Sequence, residues 1–216
     1  MTELTAELLL RAYAAGIFPM SDSRTSRELY WLDPEWRGII LPESFHVPRR
    51  LRRTVRSQPF DIRVDSDFRQ VIARCAEANR NRPDSWINAD IERLYAALHD
   101  LGVAHSVESW LDGELVGGLY GVALGAAFFG ESMFSRVADA SKVALVHLVA
   151  RLRCGGFKLL DTQFITRHLQ QFGALEVPRA EYRERLAAAL GERATFQPAL
   201  PAGALDAFLQ STSHTS

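Results

Sequence analysis

The 216-residue chain is 47% hydrophobic and carries 25 basic against 26 acidic side chains, for a formal net charge of −1. This composition excludes a largely disordered chain and predicts one well-packed domain with a small attached lobe. The near-zero charge excludes a global electrostatic attraction to nucleic acid. Because no apolar stretch approaches the ~18 residues that span a bilayer and the start is acidic, we expect a cytoplasmic protein without membrane contact.

The N-terminal part of the chain divides into a helix and a segment without clear periodicity. Residues 5–15 have helical apolar spacing and stop at Gly16, a residue typical of the position after a helix. The following residues, up to about 38, are rich in proline, serine and aromatic side chains and predict irregular structure. We therefore expect a small N-terminal lobe over 1–38 and a main domain over 39–216, which begins with a short strand at 38–41.

A concentrated basic segment follows. Residues 49–56, RRLRRTVR, contain five arginines and no acid. Such a patch is a candidate contact for a phosphate backbone. The alternative is an ordinary solvated helix face, and the patch alone favours neither.

The middle of the chain predicts two helices and a three-stranded meander. The first helix covers 66–78, with Asp65 or Ser66 as its cap, and the second is capped by Asn88 and ends at Gly102. Between them lies a polar loop, 80–87. Residues 103–132 then alternate in strand fashion around the Asp112-Gly113 pair, a strong hairpin signal.

The remaining elements complete a mixed sheet. A long helix is predicted at about 140–153, then a strand at 158–165, a short helix, a strand at 174–177, a last helix and a loose tail ending STSHTS. This order predicts an α+β fold, a mixed sheet flanked by helices, and it resembles the GNAT acetyltransferase fold. The turn before the long helix, FSRVADASK, lacks the glycines that cradle a CoA pyrophosphate.

Two cysteines and three polar side chains remain to be assigned. Cys75 and Cys154 show no metal-ligand spacing, so we interpret both as reduced core residues and predict no metal site. Asp161 and Gln163 interrupt the apolar strand KLLDTQFI two residues apart, on one face, which predicts a small site beside a cavity. Glu131 ends the apolar strand FFGES and is a third candidate, with a salt bridge to Arg136 or Lys142 as its alternative role.

Several segments together resemble one known family. They are AYAAGIFPM at 12–20, LPESFHVPRRLRR at 41–53, GVAHSVESW at 102–110, ELVGGLYGVALG at 114–125, FFGESMFSR at 128–136, ASKVAL at 140–145 and LLDTQF at 159–164. In this order and spacing they resemble the leucyl/phenylalanyl-tRNA–protein transferases. One departure is Met20, which stands where many members of that family carry tryptophan.

The resemblance implies an enzyme and its partners. Such an enzyme moves Leu or Phe, with Met as a further expected donor, from aminoacyl-tRNA to the N-terminal amine of proteins that begin with Arg or Lys. It thereby marks them for degradation by the N-end rule. It needs no cofactor, and we expect a monomer. Two alternatives remain open: a CoA-dependent N-acetyltransferase and a non-catalytic tRNA-binding module.

The resemblance also implies roles for individual residues. Asp161, Gln163 and Glu131 would be catalytic. The donor side chain would enter an apolar pocket formed by Leu119, Phe128, Met133, Leu145, Leu148, Leu152 and Leu160. The terminal adenosine and the tRNA backbone would be bound by Trp86, Tyr95, Tyr13, Arg49, Arg50, Arg52 and Arg53.

Overall fold

The computed structural model describes residues 4–78 and 83–212. The chain begins with helix α1, Ala6–Ala14, which is capped by Thr5. Two short strands, β1 (Phe18–Met20) and β2 (Tyr30–Leu32), then pair with each other as an antiparallel hairpin. The interpretation of residues 17–38 as irregular structure is therefore wrong, because this segment contains a separate two-stranded sheet.

The rest of the described chain is organised around a seven-stranded sheet. Its strands are β3 (Trp36–Ile40), β4 (Asp61–Val64), β5 (Ala104–Leu111), β6 (Glu114–Leu124), β7 (Ala127–Ser135), β8 (Leu159–Gln163) and β9 (Leu175–Pro178). Their spatial order is β4-β5-β6-β7-β8-β3-β9. Strand β3 thus lies between β8 and β9, and a domain boundary after residue 38 would fall inside it. The division into lobe and domain stays a prediction.

Helices cover both faces of this sheet. One face carries α1, α3 (Phe68–Ala76), α4 (Ala89–Asp100) and α7 (Arg179–Leu190); the other carries α2 (Arg49–Arg56), α5 (Ala140–Cys154) and α8 (Ala204–Ser211). A short helix, α6 (Arg167–Gln170), follows β8. The predicted α+β sheet flanked by helices is confirmed, whereas the closer likeness to the GNAT fold stays a prediction.

The strand periodicity separates two hydrophobic cores, one for each face of the sheet. On β7, Phe128 belongs to the core under α5, and its neighbour Phe129 belongs to the core under α3 and α4. Successive side chains of a strand point to opposite faces, which explains this division. An extra residue in β7 would therefore move the side chains that follow it to the opposite face of the sheet.

The central strands leave an opening in the sheet. Strands β5, β6 and β7 form the predicted antiparallel meander, in which Asp112 and Gly113 both adopt the positive φ that a tight hairpin turn needs. Strands β7 and β8 are parallel, and their pairing ends at Phe129 and Asp161 although β7 continues to Ser135. Beyond this point the two strands are no longer paired.

Several local predictions can be compared with the structure. Asn88 caps α4 by accepting a hydrogen bond from the Ile91 amide, as predicted. The cap of α3 is Asp67 and not Asp65 or Ser66, because the Asp67 carboxylate accepts from the Gln70 amide. Cys75 is buried, but Cys154 is exposed at the end of α5, so its assignment to the core is wrong.

Two further predictions concern the ends of the described segments. Residues 80–82 of the predicted loop and residues 213–216 of the predicted tail lie outside the described residues. The part of the tail before residue 213 includes α8, which the sequence analysis missed. Among the described residues, no helix has both the length and the apolar character to cross a membrane.

Candidate active site

A cavity of about 750 Å³ opens where β7 and β8 separate. This volume lies within the range of small-molecule sites. One wall is formed by residues 130–135 of β7 and by Arg136, which follows the strand. Residues 162–164, at the end of β8, form another wall. Its apolar lining includes leucine and methionine side chains from β6, β7, α5, β8 and α6: Leu119, Met133, Leu145, Leu148, Leu160 and Leu169.

The structure brings together most of the predicted donor pocket. Five of its seven residues line the cavity, and Leu169 adds a sixth apolar side chain that the sequence analysis missed. Phe128 and Leu152 do not line it; both are fully buried in the core under α5. Neither side chain is therefore placed to contact a ligand in the cavity, contrary to the prediction.

Glu131 reaches the cavity because β7 contains an extra residue. Gly130 pairs with Gly121 of β6, and Ser132 pairs with Tyr120, so Glu131 has no opposite residue in this ladder. Such a bulge re-aims a side chain and is common beside functional sites. The carboxylate consequently lies in the cavity wall.

Two tyrosine hydroxyls hold the Glu131 carboxylate. Tyr13 of α1 donates to one oxygen over 2.5 Å, and Tyr95 of α4 donates to the other over 2.8 Å. The two hydroxyls also contact each other. The rings of Tyr13 and Tyr95 are fully buried, so neither is available to stack on an adenosine, and the predicted role of both is corrected to that of partners of Glu131.

The alternative role of Glu131 as a salt-bridge partner is wrong. Arg136 pairs with Glu77 at 2.9 Å, and Lys142 pairs with Asp139 at 2.6 Å. Burial raises the pKa of Glu131 from 4.5 to about 7, although hydrogen bonds from the two tyrosines act in the opposite direction. This carboxyl group therefore changes its charge close to neutral pH.

This raised pKa predicts a pH-dependent stability difference between the wild type and Glu131→Gln. Between about pH 5 and pH 7 the folded wild type holds a proton that the unfolded chain has largely released, so its free energy of unfolding falls as the pH rises. The glutamine variant has no such group. In urea unfolding of both proteins, the free energy of unfolding of Glu131→Gln should increase relative to that of the wild type as the pH rises from about 5 to 7. A difference in free energy that does not change with pH would contradict the raised pKa of Glu131.

Asp161 is placed differently from the prediction. Its side chain is fully buried and does not line the cavity. One oxygen accepts from Arg37 Nε over 2.9 Å and from the Gln163 amide over 2.8 Å, and the other accepts from Arg37 Nη2 over 2.6 Å and from the Tyr182 hydroxyl over 2.7 Å. The Asp161 carboxylate is therefore not placed to contact a ligand in the cavity directly, contrary to the prediction.

Arg37 is the main residue of the site that the sequence analysis missed. Only 1% of its side chain is exposed, and its guanidinium lies between the rings of Phe18, at 4.5 Å, and Tyr182, at 4.4 Å. Its third nitrogen donates to the Gly16 carbonyl over 3.0 Å. The one available signal was the rule that a buried carboxylate needs a cationic partner, which does not say where in the chain that partner lies.

Gln163 does line the cavity. Its backbone has a φ of +57°, which is rare outside glycine, so it does not continue the regular strand geometry of Asp161. The prediction that the two side chains stand side by side is therefore wrong, and their only hydrogen bond runs through the Gln163 backbone amide. The side-chain Nε2 is buried without a partner among the described residues. An idle donor of this kind is suited to a ligand oxygen.

Comparison with known proteins assigns the chain to a family. The sequence pattern described as "Leucyl/phenylalanyl-tRNA protein transferase" matches residues 39–187, and the pattern of that family's N-terminal domain matches residues 2–35. The chain belongs to this family. It is therefore an enzyme, an aminoacyltransferase, which decides against both the CoA-dependent N-acetyltransferase and the non-catalytic module.

Individual members of the family are similar over nearly their whole length. The leucyl/phenylalanyl-tRNA–protein transferase of Paramagnetospirillum magneticum is 66% identical over 196 residues, which cover 91% of this chain and 94% of the relative. That of Phenylobacterium zucineum is 60% identical over 196 residues, covering 91% and 89%. That of Caulobacter vibrioides is 57% identical over 200 residues, covering 93% and 92%.

The predicted tRNA-binding residues occupy two places in this family member. Trp86 lines the cavity, as does Met20, the residue at which the sequence departs from the family pattern. Arg49, Arg50 and Arg53 are exposed on α2. Arg52 is half-buried, and one guanidinium nitrogen donates to the carbonyls of residues 47 and 212, so its contact with phosphate stays a prediction.

Proposed function

We propose that this aminoacyltransferase moves Leu or Phe, and also Met, from aminoacyl-tRNA to the N-terminal amine of proteins that begin with Arg or Lys. The modified proteins would become substrates of N-end-rule degradation. The enzyme would act as a monomer in the cytoplasm, where charged tRNA is available. The observation that carries the proposal is one cavity with an apolar interior, in whose wall a carboxylate and an unpaired amide donor both lie.

The reaction itself makes modest demands on the protein. The acceptor's α-amino nitrogen attacks the ester carbonyl carbon of the aminoacyl-tRNA, a C–N bond forms, and the C–O bond to the terminal ribose breaks. The amine loses a proton and the ribose oxygen gains one. Because an α-amine has a pKa near 7.7–8.0, on the order of a tenth is already neutral at pH 7. The site must mainly position the two reactants and stabilise the charges that develop.

Gln163 and Glu131 are suited to these two tasks. The unpaired Nε2 of Gln163 can donate to the ester oxygen as it becomes negative. A glutamine amide has no useful pKa and is not proposed as a base. The Glu131 carboxylate can attract an ammonium group, either of the donor amino acid or of the acceptor. It does so in its charged form, which dominates above about pH 7.

The apolar lining supports selection of a donor side chain that is not branched at Cβ. Five of the predicted pocket residues surround the interior of the cavity and offer no hydrogen-bonding groups. Such a surface distinguishes ligands by only about 1–3 kcal/mol per methylene. Rejection of Val and Ile would therefore rest on shape at Cβ, and several apolar donors without a branch at Cβ would be accepted.

The arginines of α2 support binding of the tRNA backbone. Arg49 and Arg50 lie in the first turn of the helix, where the positive end of the helix dipole makes cations unfavourable. The first turn contains no acidic residue, and Pro48 provides no side-chain cap. This local excess of positive charge favours an anionic partner. Trp86 would stack on the terminal adenosine, which contributes roughly 1–3 kcal/mol with little dependence on the base.

Replacement of Arg49, Arg50 and Arg53 by glutamine should weaken tRNA binding and reduce its salt dependence. Each lost phosphate contact lowers the slope of log K against log [salt] by about 0.7–0.9, so three contacts account for a change of about 2–3. Filter binding across a salt series measures this slope. A matched control replaces three exposed arginines elsewhere, Arg69, Arg93 and Arg185, and should leave it unchanged. Equal slopes for both triple variants would contradict the assignment of α2.

Transfer of labelled leucine from charged tRNA tests the proposed function. The purified enzyme should label a peptide that begins with Arg or Lys. It should not label the same peptide with an acetylated N-terminus, and it should label an Ala-initiated peptide poorly. No transfer of leucine from charged tRNA to any of these peptides would overturn the proposed donor and acceptor together. Equal labelling of Arg- and Ala-initiated peptides would overturn the acceptor specificity alone.

A further inference from the structure

We infer that Arg37 and Tyr182 are positioning residues, which hold Asp161 so that it fixes the backbone and thereby the cavity-lining amide of Gln163. The inference rests on the proposed role of Gln163. It concerns three chain segments that are distant in sequence: β3, β8 and α7. We call these three side chains, Arg37, Asp161 and Tyr182, the clamp.

The three side chains of the clamp are held by several hydrogen bonds to one another and to nearby backbone groups. Arg37 gives two parallel hydrogen bonds to Asp161 and a third to the Gly16 carbonyl, and Tyr182 donates to the same carboxylate. The Arg37 guanidinium is stacked between two aromatic rings. Neither charge of the pair is exposed by more than 1%. The orientation of the carboxylate is therefore fixed from several directions.

Stability alone does not explain such a pair. A buried ion pair is often no more stabilising than apolar residues of similar volume, because both charges must be desolvated. A fixed carboxylate oxygen, by contrast, has a defined use here. The oxygen that accepts from Arg37 Nε also accepts from the Gln163 amide.

The contact with the amide explains the unusual backbone of Gln163. A residue with a side chain rarely adopts a φ near +57°, and such a conformation persists where its surroundings impose it. The hydrogen bond to Asp161 imposes it at Gln163, directly before the exposed Phe164. Without the clamp, Gln163 would be free to adopt an ordinary strand conformation, and its Nε2 would leave the cavity wall.

The clamp also connects the N-terminal segment with the cavity. Gly16 follows α1, and Phe18 of β1 both covers the guanidinium of Arg37 and lines the cavity. Phe18 further makes an edge-to-face contact with Phe164, the residue after Gln163. The end of β8 is thus held from the clamp on one side and from β1 on the other.

The Tyr182→Phe variant tests the inference with little disturbance of packing. It removes the hydroxyl that donates to Asp161 and keeps the ring against Arg37. We expect kcat for leucine transfer to fall roughly 10- to 100-fold, the effect of a misplaced catalytic group, with KM for charged tRNA unchanged. The matched control is Tyr30→Phe, which removes an exposed hydroxyl that donates to Asp22, and it should retain the wild-type kcat.

The same change made in a Gln163→Ala background separates positioning from a general structural role. If the clamp acts through Gln163, Tyr182→Phe should lower kcat in the wild type but change it little once the amide is absent. An equal, additive loss in both backgrounds would overturn the inference, as would a wild-type kcat for Tyr182→Phe. A wild-type rate for Gln163→Ala would remove the proposed role of Gln163 itself, and the inference with it.

A second variant, Arg37→Lys, keeps the buried positive charge but lacks the two-pronged donor and the planar stack. We expect it to fold, as shown by an unchanged far-ultraviolet circular dichroism spectrum, and to show the same loss of kcat at unchanged KM for tRNA. A folded Arg37→Lys enzyme with the wild-type kcat would overturn the inference.

Discussion

Asp161→Ala should lower the free energy of unfolding by about 3–5 kcal/mol, the cost of leaving a buried charge without its partner. The variant removes the acceptor of four hydrogen bonds and strands the guanidinium of Arg37 between two aromatic rings. The Tyr182 hydroxyl and the Gln163 amide lose their acceptor as well. Urea unfolding, with the slope compared to confirm a two-state transition, measures the loss.

Asp33→Ala provides the matched control for this experiment. Asp33 also pairs with two arginines, Arg179 at 3.2 Å and Arg183 at 2.7 Å, but these groups are partly exposed. Exposed pairs contribute about 1 kcal/mol or less, so the control should remain close to the wild type. Similar losses for both variants would mean that the burial of the Arg37–Asp161 pair has no energetic consequence.

Met133→Trp should reduce leucine transfer by about 10²-fold while tRNA binding is retained. Met133 is half-buried and lines the cavity, so a larger ring at this position would occupy space assigned to the donor side chain. A donor that cannot enter would place its ester carbonyl away from Gln163, and misplacement of this size costs roughly 10²-fold in rate. Affinity for tRNA should stay the same, because the proposed contacts through the α2 arginines and Trp86 are unchanged. Single-turnover kinetics and filter binding measure the two quantities separately.

The sequence predicted those parts of the fold that local patterns determine. The meander follows from period-two alternation and the Asp112-Gly113 turn, and α4 follows from Asn88 and its apolar spacing. Strands β1, β2 and β4 were missed because three- or four-residue strands are too short to show a period. The prolines between residues 17 and 38 further resembled an irregular segment.

For the site, the sequence singled out polar residues that the structure places at or beside the cavity, but it did not predict their arrangement. The sequence indicated the two polar residues of β8 because Asp161 and Gln163 interrupt an otherwise apolar strand. Their orientation was not predictable, since it depends on Arg37, which lies 124 residues away in the sequence, and on a positive φ at Gln163. Tyr13 and Tyr95 likewise matched aromatic positions of the family, but only the structure shows that their hydroxyls meet at Glu131.

The central claim is that the cavity between β7 and β8 receives the aminoacyl end of the tRNA. Single-turnover transfer of labelled leucine to an Arg-initiated peptide, at saturating charged tRNA, tests it most directly when wild type, Met133→Trp and Leu124→Trp are compared. Leu124 is also half-buried, but it is the last residue of β6 and does not line the cavity. We predict a wild-type rate for Leu124→Trp and a rate about 10²-fold lower for Met133→Trp. A folded Met133→Trp enzyme that transfers leucine at the wild-type rate would contradict the claim.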